Sequence, residues 1–177
     1  RGPVAWTWLL HSHNPLLRVS DNAVGASNGL AQGRMDLFTS GGLELNLTDR
    51  FFSPAINWKK RTGPDGKVQE YTNQWHSEFT TARKSRAQHF LAVFRITPEG
   101  RKPLELKRDA KGRVTVGGWT LDAELDASKP ASLSVTDRRG NAVLYNTPAS
   151  KTGGSTVVRR KGEPDRELVD VVPASVR

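Results

Sequence analysis

Hydrophobic positions along this chain recur mostly with a period of two, the pattern of strands whose successive side chains point to opposite faces. Val4, Trp6, Trp8 and Leu10 alternate with Ala5, Thr7, Leu9 and His11, and Asn14-Pro15 closes the run with turn chemistry. From Ser20 to Gly33 the sequence is rich in Asn, Gly and Ser and reads as a loop. Arg34 to Thr39 forms a short strand, punctuated by Gly41-Gly42. Leu43, Leu45 and Leu47 alternate with Glu44, Asn46 and Thr48, which predicts a half-buried strand. Residues 53–73 read as a long surface excursion turning at Gly63-Pro64-Asp65-Gly66. Trp75 to Thr80 is a further strand. Phe90 to Ile96 is so continuously apolar that burial on both faces is expected.

Beyond Pro98-Glu99-Gly100 the texture changes to short hairpins. Val114 to Val116 leads through Gly117-Gly118 to Trp119, Leu121, Ala123 and Leu125, again alternating. Ser132 to Thr136 and Ala142 to Tyr145 flank the turn Asp137-Arg138-Arg139-Gly140-Asn141, where Gly and Asn suit positive φ. Thr156 to Arg160 and Glu167 to Val172 flank a second, Lys161 to Asp165. No stretch of ten or more residues combines a 3.6-residue period with caps. The expected fold is therefore all-β and antiparallel. Its natural architecture is two layers packed face to face, a β-sandwich over residues 1–97, followed by a small β-domain of hairpins over 98–177.

The length of 177 residues suits one ordinary domain or two small ones. Five Trp and six Phe suffice to anchor a core. No apolar run reaches 18 residues, so no membrane-spanning helix and no membrane partner are expected. Cysteine is absent, which excludes a disulfide framework, a thiolate zinc site and a thiol nucleophile. The only Met is Met35 and the chain opens Arg1-Gly2-Pro3, so it reads as a piece of a larger protein. Basic residues outnumber acidic ones by 12 to 7 in residues 1–97 and by 15 to 11 in 98–177, giving +9 in all. Charge spread this evenly serves solubility and also concentrates polyanions, whether nucleic acid or acidic polysaccharide.

Candidate chemistry lies mainly in the first half. His11 and His13 stand two apart at a strand end, a spacing that puts both imidazoles on one face and could give zinc two ligands. The alternative is a pair of polar residues closing a strand. His76, in another strand, is placed to meet the pair across a sheet. Tyr71, Asn73, Gln74, Trp75 and His76 mix aromatic rings, amides and an imidazole, which suits the apolar faces and hydroxyls of sugars. Trp75 could equally anchor the core. Trp58, Lys59, Lys60 and Arg61 set an aromatic beside three cations, able to grip carboxylates or sulfates, or simply forming an exposed basic loop. Paired buried carboxylates, a nucleophile elbow, a P-loop and a dinucleotide fingerprint are all missing. No nucleic-acid module motif is present, which disfavours nucleic acid as the partner. Asn46-Leu47-Thr48 is a glycosylation sequon, a pattern common by chance.

Two segments carry a resemblance. One is Trp8-Leu9-Leu10-His11-Ser12, a turn, and a Gly-rich stretch leading to Gly33-Arg34-Met35. The other is Asn73-Gln74-Trp75-His76-Ser77, a polar linker, and His89-Phe90-Leu91-Ala92-Val93-Phe94-Arg95-Ile96. Together they resemble the later β-sheet portion of heparinase II/III-like polysaccharide lyases, in which an α/α toroid precedes a central β-sandwich and a small C-terminal β-domain. The resemblance covers 1–97 by motif and 98–177 only by hairpin pattern and position. It implies the end of the central sandwich plus the C-terminal domain of a periplasmic or secreted enzyme.

Such enzymes cleave uronate polysaccharides by β-elimination. A Tyr or His base takes the proton α to the carboxylate, a Tyr acid assists the leaving oxygen, and neutralising the carboxylate acidifies that proton. The toroid supplies the Tyr and most substrate contacts, so this chain alone is expected to be inactive and to hold no catalytic residue. The resemblance also implies a structural zinc, with His11 matching a ligand position, His13 as second choice, and the remaining ligands upstream of Arg1. The implied partners are an acidic polysaccharide and the N-terminal toroid. A non-catalytic carbohydrate-binding β-sandwich and a purely structural domain are the rival readings.

Overall fold

Alternation translates into strands wherever one face finds a core. The structure, a computed structural model, describes residues 2–49, 60–70, 74–150 and 154–168. Among these there is no helix, and every strand pair is antiparallel. The chain divides into two units, Arg1–Pro103 and Leu104–Arg177.

In the first unit the strands are β1 (Thr7–Ser12), β2 (Leu17–Ser20), β3 (Ala23–Ser27), β4 (Ala31–Phe38), β5 (Leu43–Thr48), β6 (Lys60–Thr62), β7 (Val68–Glu70), β8 (Trp75–Thr81) and β9 (Leu91–Pro98). They form a three-stranded sheet, β1-β8-β5, a four-stranded sheet, β2-β3-β4-β9, and the separate hairpin β6-β7. One core lies between the two larger sheets. Leu45 and Phe79 enter it from the first, Val24, Met35 and Leu37 from the second, and Leu16 from just before β2. Trp8, Leu10, Leu43, Leu47 and Trp75 pack against these residues. Trp8 reaches across, its ring centroid 6.4 Å from Phe79 and 6.3 Å from Phe94. Residues 1–97 thus contain the expected sandwich.

The stretch from Ser20 to Gly33 is not the expected loop: it holds β3 and the start of β4. Its small residues suit strands packed closely on both sides, and Ala23 and Val24 are fully buried. The turn chemistry is confined to Asp21-Asn22, between β2 and β3, and Asn28-Gly29, between β3 and β4. Gly29 has φ of 81°, and Asn28 Oδ1 accepts hydrogen bonds from the Leu30 and Ala31 amides. In the supposed excursion, Lys60–Thr62 and Val68–Glu70 pair around the Gly63–Gly66 turn, where the Gly66 amide donates to the Gly63 carbonyl at 3.0 Å.

β9 also departs from expectation. It is an edge strand, and past Val93 only alternate residues are buried. Ala92, Phe94 and Ile96 share the core side with Met35 and Leu37 by register. Phe94 nevertheless remains 55% exposed and Ile96 79%. On the outer side, Leu91, Val93 and Arg95 are buried with Ala23, Asp36 and Phe38. There Arg34 and Arg95 sit opposite each other across β4 and β9, and Asp36 bonds to both guanidiniums.

The first unit runs past residue 97 to Pro103. The Glu99 amide donates to the Leu30 carbonyl at 2.9 Å, and Gln32 Nε2 to the Arg101 carbonyl at 2.7 Å, tying this stretch back to the β3–β4 turn.

The second unit is one meander in chain order: β10 (Leu106–Arg108), β11 (Val114–Val116), β12 (Trp119–Ala123), β13 (Leu133–Asp137), β14 (Ala142–Tyr145), β15 (Thr156–Arg159) and β16 (Arg166–Leu168). Among its described residues the buried apolar ones are few: Val114, Ala142, Leu144 and Val157. In the β13–β14 turn Gly140 alone takes positive φ, at 88°. Asn141 instead donates through Nδ2 to Asp137 at 2.7 Å, and Asp137 also accepts from the Arg139 and Asn141 amides. Those bonds hold the Asp137 carboxyl below its ordinary range.

Candidate polar face on the three-stranded sheet

Registry in the β1-β8-β5 sheet decides which residues share its outer face. Trp8, Leu10, Leu45 and Phe79 point into the core, so their strand neighbours point out. Three cross-strand rows result: His11, His76 and Thr48; then Leu9, Glu78 and Asn46; then Thr7, Thr80 and Glu44. Asn46 Nδ2 donates to Glu78 Oε2 at 3.0 Å, and the Thr7 and Thr80 hydroxyls bond to each other at 3.0 Å.

His11 and His76 lie in the first of these rows, at one end of the face. They are direct partners across β1 and β8, with ring centroids 4.3 Å apart and planes at 80°. His11 is exposed, whereas His76 is only 6% exposed although it lies on the outer side. β8 is the central strand, flanked on both sides, which is one source of that burial.

Burial lowers the His76 pKa from its ordinary 6.5; the charge of nearby His11 lowers it further, and Glu78 works in the opposite direction. The sign of the pH effect follows. A histidine whose folded pKa lies below its unfolded value is proton-poor in the folded state. Stability therefore falls as pH drops through 6.5 toward the folded pKa. Thermal unfolding between about pH 7 and pH 5 should show the loss, no steeper than about 1.4 kcal/mol per pH unit for one proton. His76→Gln, which cannot titrate, should flatten that slope. An unchanged slope would show that other groups set it.

The other expected site residues are dispersed relative to this face. His13 lies beyond the end of β1, exposed in the following bend, and not in the strand that would align it with His11. The imidazole that joins His11 is His76. Trp75 faces the opposite way, packed against the core, as an anchoring Trp does. Gln74 is half-buried just before β8. Lys60 and Arg61 belong to β6. Trp58, Lys59, Tyr71 and Asn73 lie outside the described residues. From sequence Glu78 carries no functional signal, and Asn46 only that of a glycosylation sequon. Their strand alternation alone puts them on one face, and the cross-strand register adds the pairing.

Among the described residues no group of three or more His, Cys, Asp or Glu side chains is placed to hold a metal ion. Two imidazoles are half of a closed tetrahedral zinc set. The zinc implied by the resemblance would need ligands from outside the described residues.

No protein-family model matches this sequence, and no curated protein is similar to it.

Proposed function

We propose that this chain is the C-terminal β-sheet part of a periplasmic or secreted polysaccharide lyase that cleaves a uronic-acid glycan by β-elimination. In this reading the polar face of β1-β8-β5 lines the outer wall of the cleft, and the toroid supplies the catalytic groups. One observation carries the reading. The two segments that resemble the lyases, far apart in sequence, run side by side as β1 and β8 and bring His11 against His76. The adjoining carboxylate, amide and hydroxyls of Glu78, Asn46, Thr7 and Thr80 supply hydrogen-bonding groups suited to a hydroxyl-rich ligand. The net charge of +9 favours a polyanionic one.

The test combines binding with chemistry. The chain should bind a uronate polysaccharide saturably and a neutral glucan not at all. Binding should weaken as salt rises, because the attraction is largely between exposed charges. Ultraviolet absorbance of unsaturated product should stay flat with the chain alone and rise once it is joined to its toroid. Absence of affinity for every uronate glycan tried would overturn the proposal. The second reading, a non-catalytic carbohydrate-binding β-sandwich, is favoured by the same hydroxyl-matching face. It predicts binding with no unsaturated product even when the toroid is present.

A further inference from the structure

The opposite side of the sandwich carries a second feature, on the outer face of β2-β3-β4-β9. Leu17, Gly25, Arg34 and Arg95 form one cross-strand row there. A groove of about 300 Å³ opens over it, with Leu17 and Val19 on one wall and Arg34 and Arg95 on the other. Its floor is open because Gly25 has no side chain. A Cβ at that position would sit between the Gly33 carbonyl oxygen, at 3.4 Å, and Val19 Cγ2, at 3.5 Å.

Two guanidiniums face each other directly, an arrangement that costs stability without counter-charge. Asp36 bonds to both. The Asp36 and Arg95 side chains are 5% and 7% exposed, so this pair is fixed within the protein. Arg34 is 36% exposed and reaches the groove. It donates to Asp36 through Nε and Nη2, at 2.8 to 3.2 Å. Its Nη1 has no hydrogen-bond acceptor among the described residues. A guanidinium so oriented, beside an apolar wall, matches a carboxylate or sulfate oxyanion carried on a compact body. Glu99, four residues past Arg95, is engaged elsewhere, accepting from Ser27 Oγ at 2.7 Å, and Asp21, two residues past Val19, pairs with Arg18 at 3.2 Å.

We infer that this groove binds a single oxyanion-bearing sugar unit, with Arg34 as its anchor and Leu17 and Val19 against the ring. The site is separate from the His11–His76 face; the choice of a sugar rests on the proposed function, whereas the oxyanion and its place rest on the groove alone. The carboxylate of a uronate and a sulfate ester share the required chemistry.

Titrating the isotope-labelled chain with glucuronate, glucose 6-sulfate and glucose, followed by amide resonances, tests the inference. At least one of the two anionic sugars should shift Gly25 and Arg34 saturably, and the tighter one identifies the oxyanion. Glucose should not. Arg34→Gln should weaken binding tenfold or more while leaving the Asp36–Arg95 pair in place. Leu17→Glu, at an exposed edge-strand position, should do the same by placing a negative charge at the mouth. His76→Gln, on the opposite face, should leave these shifts unchanged. No saturable shift with either anion, equal shifts with glucose, or indifference to both groove variants would overturn the inference.

Discussion

Asp36→Ala is expected to destabilise the first unit by about 3–5 kcal/mol, the usual penalty for breaking a buried ion pair by removing one partner. The side chain accepts from both Arg34 and Arg95, and only Arg34 has solvent to fall back on. Removing the carboxylate leaves the Arg95 guanidinium buried opposite a second cation. The loss then comes from a buried cation deprived of its Asp36 carboxylate, more than from the missing bonds. Removing both members should therefore cost less than removing one. Asp36→Leu combined with Arg95→Met should regain a substantial part of the stability, since apolar replacements of similar volume are tolerated where the buried cation is not. Urea unfolding followed on β4 resonances, which keeps the second unit's transition apart, reads both variants. Equal losses in the single and the double variant would contradict this account.

Phe79→Ala is expected to cost the same unit about 3–5 kcal/mol through lost transfer energy and the cavity left behind. Phe79 is fully buried on the central strand β8. It is flanked in register by Trp8 and Leu45 and faces Val24, Met35 and Leu37 from the other sheet. Few side chains in the unit hold the two layers together so directly. Phe79→Leu, which keeps much of the volume, should lose clearly less. The same unfolding experiment measures it, and a loss below about 1 kcal/mol for the alanine variant would show that the layers do not depend on this contact.

The legible part of this fold is the part written in two-residue alternation. Leu43-Leu45-Leu47 and the strand from Trp75 show their inward faces directly, because one side of each meets a core. Ser20 to Gly33 misled because Gly and Asn signal turns by conformational freedom, whereas here Gly25 and Gly33 mainly leave space on a strand. Phe90 to Ile96 misled in another way. An unbroken apolar run fixes composition, not how far the facing sheet extends, so Phe94 and Ile96 stay exposed. For the candidate face, His11 and His76 were visible as strand histidines that could meet. Their pairing required the register. Trp75 and His76 are adjacent in sequence and therefore lie on opposite faces, so a cluster counted along the chain splits when the strand forms.

The most direct measurement is electrophoretic mobility of the native chain in gels with and without an embedded uronate polysaccharide, against a neutral glucan. The account predicts retardation by the uronate gel alone, reduced when His11 and His76 are both replaced by Gln. Equal mobility in all three gels would contradict it.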